Sequence, residues 1–225
     1  MSDLAKKTLE GFAQLMIVLA ILLFAVAWSI RYWQAWLYLG VFSVSVALIT
    51  WYLWKKDPKL LERRVNAGPV AEKEKKQKII QLFASLSFIA IFVVSSLDHR
   101  FSWSNVSSVT NIVGDILVFA GFLIVFLVFK ENTFTAATIE IASNQKVIST
   151  GPYSIIRHPM YAGAFIMLIG TPLALGSLWG LLGFIFIAIT IIFRLFDEEK
   201  FLLKKLKGYK KYCAKVPYRI IPFIW

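Results

Sequence analysis

The chain has 225 residues, of which 58% are hydrophobic and only 17% charged, and it carries a formal net charge of +12. Its mean hydropathy is +0.68, and a soluble domain would hold about 25% charged residues, so water is not its main solvent. A single cysteine, Cys213, excludes an internal disulfide, and two histidines, His99 and His158, are too few for a usual zinc cluster, so neither redox nor metal chemistry is indicated.

The N-terminal stretch places Lys6 and Lys7 before an apolar run from Phe12 to Ile30. That run is longer than the apolar segment of a secretory leader, and no small-residue cleavage site follows, so it reads as a retained first helix. Trp36 to Trp54, Ile79 to Leu97 and Ile112 to Phe129 read as three further spans. Asp115 is the clearest acid within a span; lying about one turn inside its boundary, it reads as an interfacial residue and not as a proton relay, which speaks against a transporter. The last apolar block, Tyr161 to Phe193, would be roughly 50 Å long as one helix, against a hydrocarbon core of about 30 Å. It must break, and Pro172, Gly176 and Gly180 near its middle place a turn at 175–178. The expected architecture is an all-α integral membrane protein of about six transmembrane helices, closed by a C-terminal helical hairpin.

The basic residues decide orientation. With both termini cytoplasmic, all of the 25 Lys and Arg residues except Arg31 and Arg100 fall in inner segments, as short cytoplasmic loops require. The net charge is therefore a topology signal, and no nucleic-acid partner is needed to explain it. The run from Glu72 to Lys78 reads as a solvated loop or helix start. Polar residues concentrate in three inner segments, so an active site should face the cytoplasm, with membrane lipids and a lipophilic molecule as its partners.

Two clusters carry the candidate chemistry. Gly151-Pro152-Tyr153 and Arg157-His158-Pro159-Met160-Tyr161-Ala162-Gly163 stand where an inner loop enters the fifth span; Arg194, Asp197, Glu198 and Glu199 stand at the inner end of the sixth. The hairpin brings these clusters side by side. Taken alone, Arg157 and Tyr161 would be interfacial anchors, Pro159 a helix start and Arg194–Glu198 a one-turn pair. Three successive acids with an arginine at a membrane boundary need partners, however. A zwitterionic ligand fits them: an α-amino, α-carboxylate group needs an anion and a cation close together, which Glu198 or Glu199 with Arg194 or His158 supplies.

GPYSIIRHPMYAG, the R-x-x-x-E-E of Arg194 to Glu199 and the ending KYCAKVPYRIIPFIW together resemble the isoprenylcysteine carboxyl methyltransferase family and its prokaryotic relatives. Phospholipid N-methyltransferases are more distant kin. The resemblance runs from about Lys146 to Trp225, with weaker echoes in DPKLLERR and ENTFTA upstream. It implies a small membrane bundle in a prokaryotic plasma membrane, an N-terminal region at 1–130, a cofactor-binding catalytic region at 131–225, and S-adenosylmethionine as cofactor. By resemblance, Lys146, Val147, Ile148, Tyr153, His158, Pro159 and Tyr161 would line the cofactor, while Arg194, Glu198 and Glu199 hold its polar end or the acceptor. The acceptor would be lipophilic, a prenylcysteine-like carboxylate in the first instance. The same ending also resembles sterol reductases, longer enzymes that use a nicotinamide cofactor and share the R-H-P element. Phe134, Tyr153, Tyr161 and the aromatic tail are expected to form a lid over the site, with Arg219 tied to an acid or carbonyl.

Overall fold

A computed structural model describes residues 3–65, 72, 74–135, 137–139 and 145–225. Residues 66–71, 73, 136 and 140–144, of which 136 ends the ENTFTA motif, lie outside the described residues. In hydrocarbon, backbone N–H and C=O groups must be satisfied within the segment itself, so the apolar runs become helices. They are α1 (Asp3–Ala20), prolonged by a π turn (Ile21–Ala25), α2 (Trp33–Lys56), a short α3 (Pro58–Val65), α4 (Lys75–Phe101), α5 (Ser108–Glu131), α6 (Pro159–Ala174), α7 (Gly180–Lys205) and a short α8 (Tyr209–Lys215). No strand forms among the described residues.

Five helices, α1 with its extension, α2, α4, α5 and α7, are long and apolar enough to cross a membrane. The sixth apolar segment is shorter than a full span. With 16 residues, α6 measures about 24 Å, because Pro159 opens it and Gly176 closes it. Large apolar side chains such as Ile17, Trp51, Leu86, Phe119, Phe186 and Phe193 stay exposed on the bundle's outside, where lipid is the solvent.

The hairpin turn lies where the sequence placed it. Gly176 takes a left-handed φ of 72°; Ser177 N–H bonds Pro172 O at 2.8 Å and Gly176 N–H bonds Leu173 O at 3.0 Å, a Schellman closure. Carbonyls left over at the end of α6 receive side-chain donors: Tyr32 Oη bonds Leu175 O at 2.6 Å and Asn111 Nδ2 bonds Leu173 O at 2.9 Å. Buried Asp98, at the end of α4, latches the turn by accepting from Ser177 Oγ at 2.5 Å, Ser104 N at 2.7 Å and Ser104 Oγ at 2.7 Å. Asp115 is buried as well; the expectation that it is interfacial is corrected, because α2 and α6 cover the face of α5 that carries it.

The two arms of the hairpin pack on different partners, α6 most extensively on α5 and α7 on α4. Glycines dictate this. Gly114 and Gly121 of α5 face Gly170 and Gly163 of α6, each pair seven residues apart, the small-residue seam by which membrane helices approach closely. On the other arm, a Cβ on Gly183 would lie 2.9 Å from Ile91 N of α4. The two arms are thus drawn to separate neighbours, and the loop end at which α6 begins and α7 ends is the end opposite the turn. Leu4 packs there with Leu60 and Phe129, and Trp225 packs against Phe196, so both ends of the described chain lie at that same end.

The seam predicts a reversal of sign. A Cβ on Gly121 would stand 2.6 Å from Gly163 O and 2.7 Å from Met167 N, so Gly121→Ala should destabilise the detergent-solubilised protein by about 1–3 kcal/mol. Gly40→Ala, with nothing within 4 Å, should instead stabilise by about 0.5–1 kcal/mol. Thermal unfolding of both variants checks the pair; equal shifts would remove the seam.

Candidate functional site

Local sequence sets the entry to α6. Pro159 occupies its first turn, where a missing N–H costs nothing. The two residues before it are pinned by the C-terminal tail: Arg157 N–H and His158 N–H donate to Tyr218 O and Arg219 O, each at 2.9 Å. The preceding 3₁₀ turn, Gly151–Ser154, is held by Tyr212 Oη on Tyr153 O at 2.7 Å and by Asn132 Nδ2 on Tyr153 Oη at 3.0 Å. Helix α8 reaches this position after Gly208, whose φ of 90° is a conformation that favours glycine.

The two sequence clusters do meet, and their members divide the work unequally. Glu199, with a side chain only 9% exposed, has both carboxylate oxygens engaged. Arg219 Nε bonds Oε2 at 2.9 Å; His158 Nε2 lies 3.3 Å and Arg157 Nε 2.9 Å from Oε1. The arginine contact is an ion pair in which the Nε–H is not aligned on the oxygen. Arg219 is also flanked by the rings of Phe196 and Trp225, each 5.5 Å from its guanidinium carbon. Glu199 thus joins α7, the start of α6 and the tail.

Arg194 does not spend its charge on Glu198 one turn away. Its Nη2 donates to Glu72 Oε1 at 2.8 Å and Ala137 O at 2.9 Å, and its Nη1 to Gln77 Oε1 at 3.3 Å. Gln77 in turn donates to Asp197 at 2.9 Å. The run Glu72 to Lys78 is a helix start, as read, with Glu74, Lys75, Lys76 and Lys78 exposed, but Glu72 and Gln77 are buried and not solvated; an arginine at a membrane boundary draws its counter-charge from whichever loop can reach it. Lys73, within that run, lies outside the described residues. Glu198 accepts instead from Tyr161 Oη at 2.6 Å.

Among α2, α4, α5, α6 and α7 lies a cavity of about 750 Å³, within the range of small-molecule sites. Lys146, Val147, Ile148, Tyr153, His158, Pro159, Tyr161, Arg194 and Glu198 all line its loop end. Its deeper walls are apolar, built from Val46, Phe88, Phe122, Met167, Leu168 and Ile187. Of the residues given a cofactor-binding or catalytic role from the sequence, Glu199 is the one that is not part of the lining; Asp197 of the same cluster is not part of it either, nor is any tail residue from Tyr218 to Trp225. Phe134, Tyr153 and Tyr161 do line it. The expected lid is therefore corrected in part: the tail is a strap behind the wall, with Arg219 tied to Glu199 as anticipated.

Residues that sequence reasoning missed include Arg64, Asn132 and Tyr209, all facing the cavity, besides Glu72 and Gln77. Arg64 stacks over the Phe129 ring at 5.1 Å. Tyr209 Oη is buried without a hydrogen-bond partner, and burial pushes its phenol well above the ordinary range, so it stays a protonated donor in the cavity wall. Tyr153 is pushed up in the same way by burial. Nothing local marks these positions; a pairing signal exists only for Arg194, which had to find an acid.

Fold and site together define a helical membrane protein with an amphipathic cavity, charged at one end of the bundle and apolar toward its middle. Residues 109–208, which hold nearly all of α5 together with α6, α7 and much of the charged wall, match the sequence model of the phospholipid methyltransferase family. The chain is also 33% identical over 92 residues to the Delta(14)-sterol reductase of Mus musculus, a match that covers 39% of this chain and 22% of that protein. The aligned part is thus about a fifth of the reductase's length.

Glu199 supports a stability prediction. Glu199→Ala leaves the buried Arg157 and the half-buried Arg219 without their anion, and thermal unfolding should show a loss of about 3 kcal/mol. Arg219→Ala should cost clearly less, because Arg157 and His158 still face Glu199. The reverse order would mean that the tail, and not the carboxylate, is the organising element.

Proposed function

We propose that the protein is an S-adenosylmethionine-dependent methyltransferase acting on a lipophilic acceptor, with O-methylation of a carboxylate as the reaction. The observation that carries this reading is one cavity with two characters. Its loop end offers cation, anion and hydroxyl groups to a polar cofactor, and its depth offers aromatic and aliphatic walls to a chain that partitions into lipid. The residues fit the cofactor: Glu198 is an anion for an α-ammonium, Arg194 and Lys146 are cations near a carboxylate, and the unpaired Tyr209 hydroxyl is a free donor.

When bound, the cofactor supplies an electrophilic methyl group on a sulfonium, which needs positioning and exclusion of water more than covalent help. The chain's residues supply those. Tyr161 orients Glu198, Glu72 and Ala137 O orient Arg194, and Glu199, which we assign to positioning and not to contact with the reactants, holds His158 and Arg157 in the wall. A carboxylate acceptor is ionised at neutral pH and requires no general base; an amine would require one, and Glu198 is the group in place for it. The concentration of Lys and Arg at the loop end supports a cytoplasmic site.

The sterol-reductase similarity supports a second reading, reduction by a nicotinamide cofactor in the same cavity. Calorimetric titration separates the two. Wild type should bind S-adenosylmethionine in preference to NADPH, and Arg194→Ala and Glu198→Ala should each weaken binding about thirty-fold or more, while exposed Lys200→Ala leaves it unchanged. Tight NADPH binding without S-adenosylmethionine binding would replace the methyltransferase reading. In a radiolabelled assay the transferred methyl should be base-labile, as in an ester; a base-stable product would make the acceptor an amine.

A further inference from the structure

Asp115 plays no part in the cavity, and its surroundings differ from those of Asp98 at the same end of the bundle. Its residue is 5% exposed, yet neither carboxylate oxygen, both buried, has a hydrogen-bond partner. Asn111 lies one turn earlier on the same face of α5 and is 1% exposed. Its Nδ2 is committed to Leu173 O at 2.9 Å, which fixes the amide's orientation and turns Oδ1 inward, buried and unpartnered. The amide of Gln34 on α2 neighbours that of Asn111: a Cβ at Gly176 would lie 3.2 Å from Asn111 Nδ2 and 3.3 Å from Gln34 Nε2. Gln34 Oε1 is buried and unpartnered too. One turn along α2, Tyr38 shares a hydrogen bond with Thr171 and lies within electrostatic range of Asp115.

Four buried oxygens, two from the Asp115 carboxylate and one each from the Asn111 and Gln34 amides, thus stand on α5 and α2 beside the end of α6, and every one is an acceptor without a donor among the described residues. In a low-dielectric interior an unpaired carboxylate is strongly disfavoured unless a proton or a bound cation neutralises it, and the neighbouring amide oxygens can be satisfied by the cation but not by that one proton. We propose that Asp115, Asn111 and Gln34 bind a dehydrated sodium ion. An all-oxygen set selects a hard cation. One carboxylate neutralises one positive charge, whereas a divalent ion would leave a buried surplus. The backbone contact of Gly114 with Ala174 beside the site draws the helices close and favours the smaller ion over potassium. The ion would tie α2 to the α5–α6 pair at the hairpin end, and the proposal is independent of the reaction performed at the other end.

Thermal unfolding of the full chain in detergent, followed by tryptophan fluorescence in sodium, potassium or N-methylglucamine chloride at equal ionic strength and pH, tests the proposal. Sodium should raise the midpoint saturably, by roughly 5–10 °C at a hundred-fold excess over half-saturation, with little response to potassium. Asp115→Asn should abolish the sodium response, and Gln34→Leu should raise the half-saturating concentration at least ten-fold. Identical wild-type midpoints in the three salts would overturn the proposal, as would a full sodium response in Asp115→Asn. If Asp115→Asn does not fold, Gln34→Leu decides: an unchanged half-saturating concentration overturns the site.

Discussion

Backbone-to-backbone contact between α5 and α6 is the constraint on which the rest of the structure depends. Without a hydrophobic force between helices in lipid, close packing and buried hydrogen bonds must hold the bundle together. Gly114, Gly121, Gly163 and Gly170 remove the side chains that would keep the two axes apart. Because α6 is committed to α5, it cannot also lie along α7, which Gly180 and Gly183 bring against α4. The hairpin is thus tight at its turn, and its two arms share the cavity wall with α2, α4 and α5. A hairpin whose arms packed on each other would have no room for a ligand.

Charge is partitioned around that cavity according to need. Glu199 is consumed by structure, with three cationic or titratable partners converging on two oxygens. Glu198, its neighbour in sequence, points the other way around α7 and keeps contact with the cavity through Tyr161. Two adjacent glutamates thus take separate tasks because successive residues on a helix are turned about 100° apart. Arg194 is held between a loop acid, a loop carbonyl and Gln77 of α4, which orients the guanidinium while one edge of the cavity remains cationic.

Two acids at the hairpin end of the bundle are buried in different ways. At the turn, Asp98 is saturated by two serines and a backbone N–H and behaves as a structural latch. Asp115, on the neighbouring helix, has no such donors. A buried polar group must be compensated, so the contrast between the two carries more information than the presence of acids within apolar helices.

Composition, hydropathy and the distribution of Lys and Arg determined that the chain is a helical membrane bundle, roughly where its apolar segments begin and end, and that the last block breaks near Gly176. Those features depend on local chemistry: apolar length, a missing proline N–H, a glycine's left-handed φ. The residue types and spacings of Arg157 to Gly163 and Arg194 to Glu199 likewise marked the wall of the site. Only the tertiary structure decided that Glu199 serves the strap and Glu198 the cavity, that Glu72 leaves solvent to pair with Arg194, that the tail stands behind the wall, and that Asp115 is enclosed. Each of these depends on which elements meet across long stretches of sequence, and burial and electrostatic pairing act through space, where the linear order of residues carries no distance.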